Sequence, residues 1–131
     1  MALSPAYLSI NPAVLRDASG GDDATVLELL RIFLRITPVM MEDIELASRT
    51  GDLARVSAKC HELKGTGKLV GAEQLALLTG HIEGRVNQGE RDGLSELVCG
   101  LREELERVAS EITACAAALA APLRSPRGEG A

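Results

Sequence analysis

Apolar residues recur along this chain at helical spacing, in separate stretches divided by short polar turns. Val26, Leu30, Phe33, Thr37, Met40 and Ile44 follow one another at three- and four-residue steps, the period of one helix face. That run predicts a helix from about residue 23 to residue 49, with Pro38 inside it. Because proline lacks a backbone donor, a kink is expected near Arg35–Thr37. Thr50-Gly51-Asp52 ends the run, and Asp52 can cap the next helix. That helix, over about 52–69, carries Leu53, Val56, Cys60, Leu63 and Gly67 on its inner stripe, and Gly71 breaks it. Another, over about 72–88, turns Leu75, Leu78, Ile82 and Val86 inward. The last, over about 91–119, places Leu101, Leu105, Val108, Ile112, Cys115 and Leu119 at alternating steps of four and three, a heptad seam.

The ends are plainer. Residues 1–10 show no strong pattern. Asn11-Pro12 reads as a helix cap followed by proline in the first turn, so a short helix over about 11–18 is expected. Ser19-Gly20-Gly21 closes it, and Asp22 or Asp23 caps the helix after it. The segment from Pro122 is rich in Pro, Gly and charge, and such composition favours disorder. Short loops between long amphipathic helices make neighbours antiparallel. The expected fold is all-α: an antiparallel up-down four-helix bundle over 23–119, an N-terminal segment 1–22 carrying the short extra helix, and a disordered tail 120–131. No internal repeat of the solenoid kind is present.

Composition narrows the classes. The chain has 131 residues, 46% of them hydrophobic, but only one Tyr, one Phe and no Trp. One aliphatic core fits that length, whereas stacking platforms for single-stranded nucleic acid need aromatic rings. A net charge of −5 also disfavours nucleic acid and anionic membranes. No long apolar run and no signal-like start occur, so a soluble, cytoplasmic monomer is expected. The Met1 start and flexible end suggest a stand-alone module, without deciding between that and a piece of a hybrid kinase. The three cysteines Cys60, Cys99 and Cys115 have no CxxC or CxxH spacing, which disfavours disulfides and zinc. Their apolar neighbours predict reduced, buried thiols, and no metal or cofactor is expected.

Candidate chemistry concentrates in His61-Glu62-Leu63-Lys64-Gly65-Thr66-Gly67-Lys68. On a helical wheel His61 points roughly 140° away from the inner stripe, and Ser57, Lys64 and Lys68 share its outward side. An unperturbed histidine is largely neutral near pH 7, and its free ring nitrogen can attack an activated phosphoryl group. Lys64, one turn on, can reach the charge so acquired, while Lys68 contributes field only. Glycine costs about 1 kcal/mol in a helix interior relative to alanine, so Gly65 and Gly67 need a local reason. Gly65 lies off the inner stripe and fits clearance for an approaching surface. Gly67 lies on it and fits packing. His81, followed by Ile82-Glu83-Gly84, has none of these neighbours and reads as a surface residue. Met40 and Met41 can join Ser57 in an apolar docking patch, one of the two methionines serving the core.

His61-Glu62-Leu63-Lys64-Gly65-Thr66-Gly67, followed by Val70-Gly71-Ala72 and Leu75, resembles the histidine phosphotransfer (HPt) domain of multistep two-component signalling. That family carries His-x-Leu-Lys-Gly-small-small and then a Leu-Gly-Ala-like turn. Phe33–Ala47, with Thr37-Pro38, is similar to the helix before the motif, and the resemblance covers about residues 23–115. It implies a four-helix bundle whose histidine takes a phosphoryl group from an aspartyl phosphate on a receiver domain and passes it to another. The partners would be receiver domains of response regulators or hybrid histidine kinases, which supply the acid pocket and Mg²⁺. Many members place a Gln that steadies the imidazole twenty-two residues after the histidine. Here that position is Glu83, whose carboxylate can accept a bond from Nδ1–H but would repel a phosphoryl group brought too close.

Two other functions compete. A binding module of the same fold that merely sequesters a signalling partner would have no need of an exposed nucleophile. A metal-binding bundle would need inward Glu-x-x-His pairs on several helices, and neither histidine offers one. No Gly-rich phosphate loop is present, so the chain is expected to be a relay module rather than a kinase or other enzyme.

Overall fold

A computed structural model describes residues 7–124 and places five helices there, with no strand among them. They are α1 (Pro12–Ala18), α2 (Asp23–Thr50), α3 (Leu53–Leu69), α4 (Glu73–Asn87) and α5 (Leu94–Arg124). Each of the four long helices packs on two neighbours: α2 on α3 and α5, and α4 on α3 and α5. This closed ring is the up-down bundle the sequence pattern predicts. The short α1 lies against α2 and α3.

The helix starts follow from their side chains. Four N–H groups are orphaned at the start of each helix, and a short polar side chain satisfies one or two of them. Asn11 accepts from the Ala13 N–H at 3.2 Å, Asp22 from that of Thr25 at 3.0 Å, and Asp52 from that of Arg55 at 3.2 Å. Gly51 and Gly71 turn the chain after α2 and α3 at φ +76° and +68°, values that L side chains rarely adopt.

Leu30, Met41, Ile44, Leu63, Leu75, Ile82, Leu101 and Ile112 are fully buried along the bundle axis. Leu53, Leu78 and Leu119, expected on inner stripes, are only partly buried at the core's edge. Thr79 is buried too, its hydroxyl donating to the Leu75 and Ala76 carbonyls. Arg102 on α5 grips Glu45 on α2 through two guanidinium nitrogens, a planar fork well matched to a carboxylate.

Three expectations change. The last helix does not stop at 119 but continues to Arg124. Alanine is the best helix former, and in the run Ala116–Ala121 both Ala116 and Ala120 are buried against the core. Residues 125–131 of the expected tail lie outside the described residues. The same helix begins at Leu94 rather than 91, since Gly93 holds a left-handed turn at φ +74°. Cys99, expected to be buried, is exposed, while Cys60 and Cys115 are buried. Cys99 sits on the outer side of α5, beside rather than on the stripe of Val98, Leu101 and Leu105. α2 stays one continuous helix across Pro38, and the adjacent Thr37 hydroxyl donates to the Phe33 carbonyl at 2.9 Å.

The segment before α1 is tied down in a way the sequence did not disclose. The backbone N–H groups of Leu8, Ser9 and Ile10 donate to the Glu111 carboxylate at 3.1, 2.8 and 3.2 Å. The Asn11 N–H then donates to the Val70 carbonyl at 2.9 Å, which seats α1 on the α3–α4 turn. Among the described residues no helix is long and apolar enough to cross a membrane.

Candidate functional site

α3 carries the site because its inner and outer faces do different work. Val56, Cys60, Leu63 and Gly67 face the core, which leaves His61 on the outside with 68% of its side chain exposed. Packing of α3 against α4 sets the register that brings Glu83 beside it. Glu83 Oε2 lies 3.1 Å from His61 Nδ1, and Lys64 Nζ donates to Glu83 Oε1 at 3.0 Å. One carboxylate, only 18% exposed, thus bridges the imidazole and the ammonium.

The electrostatics are cooperative. The Lys64 ammonium, helped by His61, holds the Glu83 carboxyl below the usual carboxylate range, against the opposing effect of burial. An ionised carboxylate only accepts hydrogen bonds, so its bond to the ring places a proton on Nδ1. In the neutral imidazole the lone pair then belongs to Nε2, the other ring nitrogen. The adjacent Cys60 plays no such part: burial pushes its thiol up to about 12, with Glu83 adding to the rise, and only a thiolate is a good nucleophile.

The two glycines separate as expected. A Cβ at Gly65 would meet nothing within 4 Å, whereas one at Gly67 would come 3.1 Å from Leu75 Cδ2. Gly65 keeps the surface next to His61 low, and Gly67 lets α4 approach α3.

An open hollow of about 590 Å³ lies between α2 and α3 beside the imidazole, lined by Ile36, Met40, His61, Glu62, Gly65 and Leu69 among others. Met40, expected on the inner stripe of α2, is half-buried at the core's edge and reaches this hollow. Met41 is only 1% exposed, and its assignment to partner binding is corrected: the buried stripe of α2 runs through Thr37, Met41 and Ile44 rather than through Met40, so Met41 turns into the core. Ser57 is half-buried one turn before His61. The sequence reading missed Ile36 and Leu69, which are 38% and 55% exposed. The signal was available, since both are apolar residues off the inner stripe of an amphipathic helix. Lys68 is exposed and lines a separate hollow between α3 and α4 with Lys64, Gly80 and His81. His81 is exposed, with no bond to a carboxylate among the described residues. No cluster of three His, Cys, Asp or Glu side chains fit to hold a metal ion occurs among those residues.

Known proteins add to this geometry. No curated protein matches the chain. The crystal structure of the HPT domain from a sensor hybrid histidine kinase of Shewanella superposes with a TM-score of 0.74, at 23% sequence identity, over 86% of this chain and 97% of that one. At that identity the likeness establishes the fold. The sequence profile of the Hpt domain matches residues 28–111, well over half of the chain and inclusive of His61, Lys64, Gly65 and Glu83. With a profile match over more than half of its length and a helical bundle of the same architecture, the chain belongs to the Hpt domain family, the phosphotransfer modules of two-component phosphorelays.

Proposed function

We propose that His61 is the phosphoacceptor, taking a phosphoryl group from the aspartyl phosphate of one receiver domain and passing it to the aspartate of another. The observation that carries this reading is the bond between His61 Nδ1 and Glu83 in an otherwise exposed ring. It fixes the ring from behind and leaves Nε2 as the attacking atom. In the forward step the Nε2 lone pair forms the N–P bond, the P–O bond to the receiver's aspartate breaks, and the carboxylate departs with the bonding electrons. The proton on Nδ1 stays where it is, so the ring carries positive charge beside the Glu83 carboxylate. Lys64, one helical turn from His61 and already in contact with Glu83, stands where it can meet the negative phosphoryl oxygens. The apolar rim of Ile36, Met40 and Leu69 offers an incoming receiver surface to bury.

Incubating the chain with phosphorylated receiver domains tests the reading. The expected product is acid-labile, base-stable phosphate on the peptide containing His61. Label confined to any other residue, or no transfer from any phosphorylated receiver, would remove the assignment.

Clearance gives a separate expectation. Gly65→Gln places a long side chain in the open space next to the imidazole, while exchanging glycine for a good helix former gains up to about 1 kcal/mol of stability. Transfer should therefore slow by at least about tenfold, the equivalent of about 1.4 kcal/mol of barrier, in a chain that melts no lower than the parent. Comparing melting temperature with transfer rate checks this, and unimpaired transfer would show that the gap at Gly65 serves no approaching surface.

A further inference from the structure

Glu83 is a carboxylate where an uncharged hydrogen-bond acceptor would suffice to orient a ring, and its charge has a consequence for the return step. When phosphorylated His61 gives up its phosphoryl group, an oxygen of the receiving group attacks phosphorus, the N–P bond breaks, and the electron pair returns to Nε2. With a proton on Nδ1 the departing group is a neutral imidazole. Without it the departing group would be an imidazolate, a far stronger base and a poor leaving group. The reactivity of the phosphorylated chain therefore depends on which form Nδ1 is in.

The charged groups around the ring are few. α4 presents Glu83, with Oε2 at 3.1 Å from Nδ1. From α3 come Lys64, bound to the other oxygen of Glu83 at 3.0 Å, and Glu62 on the rim of the neighbouring hollow, its carboxylate 3.5 Å from Lys59 Nζ. The α2 residues lining that hollow, Ile36 and Met40, are uncharged. Among the described residues Glu83 is thus the one ionised group in contact with Nδ1, and it is only 18% exposed.

We propose, building on the phosphoacceptor reading of His61, that the Glu83 carboxylate is a positioning residue that retains the proton on Nδ1 of the phosphorylated ring and so keeps the phosphoryl group transferable as the solution becomes alkaline. Lys64 supports this by keeping Glu83 ionised. An opposite charge in direct contact favours the protonated form, and screening by water around the largely exposed ring weakens that preference without removing it.

The test uses the full chain phosphorylated by phosphoramidate, a small donor that needs no partner protein, as wild type and as Glu83→Gln. Glutamine keeps an acceptor for Nδ1–H and removes the charge. Phosphoryl loss is followed from about pH 6 to about pH 10 by phosphorus NMR. The expected result is a rate that falls at a lower midpoint in Glu83→Gln, so that above both midpoints the variant loses its phosphoryl group several-fold more slowly. A nitrogen NMR titration of the phosphorylated wild-type ring reads the same proton directly, whether or not the variant folds. Its midpoint should lie above that of phosphohistidine in an unfolded peptide. Coincident midpoints with label on His61 would overturn the role of Glu83 and leave the phosphoacceptor assignment standing. Label that persists in His61→Gln would overturn both.

Discussion

His61→Gln is expected to reduce phosphoryl acceptance to background while the bundle remains folded. The side chain is 68% exposed, and the core beneath it is filled by Cys60 and Leu63 rather than by the ring. Substitution of an exposed residue of this kind usually changes stability by no more than about half a kcal/mol. The ion pair between Lys64 and Glu83 needs nothing from His61 and should persist. On the proposed reading the substitution also removes the nitrogen that would form the new bond. Circular dichroism melting beside a labelling time course makes the comparison, with His81→Ala as the control that should label like the parent. A labelled His61→Gln chain, or an unlabelled His81→Ala chain, would show that the phosphoryl group goes elsewhere.

Gly71→Ala should cost more stability than a substitution at Gly65 or Gly93. Gly71 holds φ +68°, and a Cβ built on it would lie 2.6 Å from Asn11 Cβ, 2.7 Å from Asn11 O and 2.9 Å from Asn11 N. The left-handed backbone alone costs roughly 1–2 kcal/mol for a residue with a side chain. The clash is with backbone that cannot move freely, because the Asn11 N–H is bonded to the Val70 carbonyl and Glu111 holds the three residues before it. A combined loss of about 2–4 kcal/mol corresponds to a fall in melting temperature on the order of 10 °C. Gly93→Ala separates the two contributions. Its φ is +74° with nothing within 4 Å of a Cβ, so it should show the backbone cost without the clash. Equal losses in the two variants would mean that the seating of α1 against this turn contributes nothing.

Much of the architecture is legible in the order of residues because helices announce themselves locally. A stripe of apolar side chains every three or four residues and a short polar cap before it depend only on neighbours along the chain. For that reason α1 to α4 begin and end within a residue or two of expectation, with Asn11, Asp22 and Asp52 capping as read. The same local logic put His61 outside, Gly65 in the open and Gly67 in the core. It failed where a stripe had no clear edge. The alanine run extended α5 beyond 119, since alanine neither marks a face nor ends a helix, and Met41 and Cys99 exchanged their expected environments because each sits beside the face it was assigned to.

What the sequence alone determined is the helical class, the bundle and the exposed histidine with its flanking lysine and glycine. Only the tertiary structure decided what those groups touch. The position of Glu83 drew notice through family resemblance, but whether its carboxylate reached the imidazole depended on the register of α3 against α4, twenty-two residues apart along the chain. That Lys64 spends its charge on the same carboxylate, and that Glu111 ties down a segment about a hundred residues before it, follow from the same cause. Such pairings carry no period and no local signal. They exist because core packing fixes the rotation and sliding of each helix on its neighbour, and a shift of one residue in that packing would turn each of these carboxylates toward a different partner.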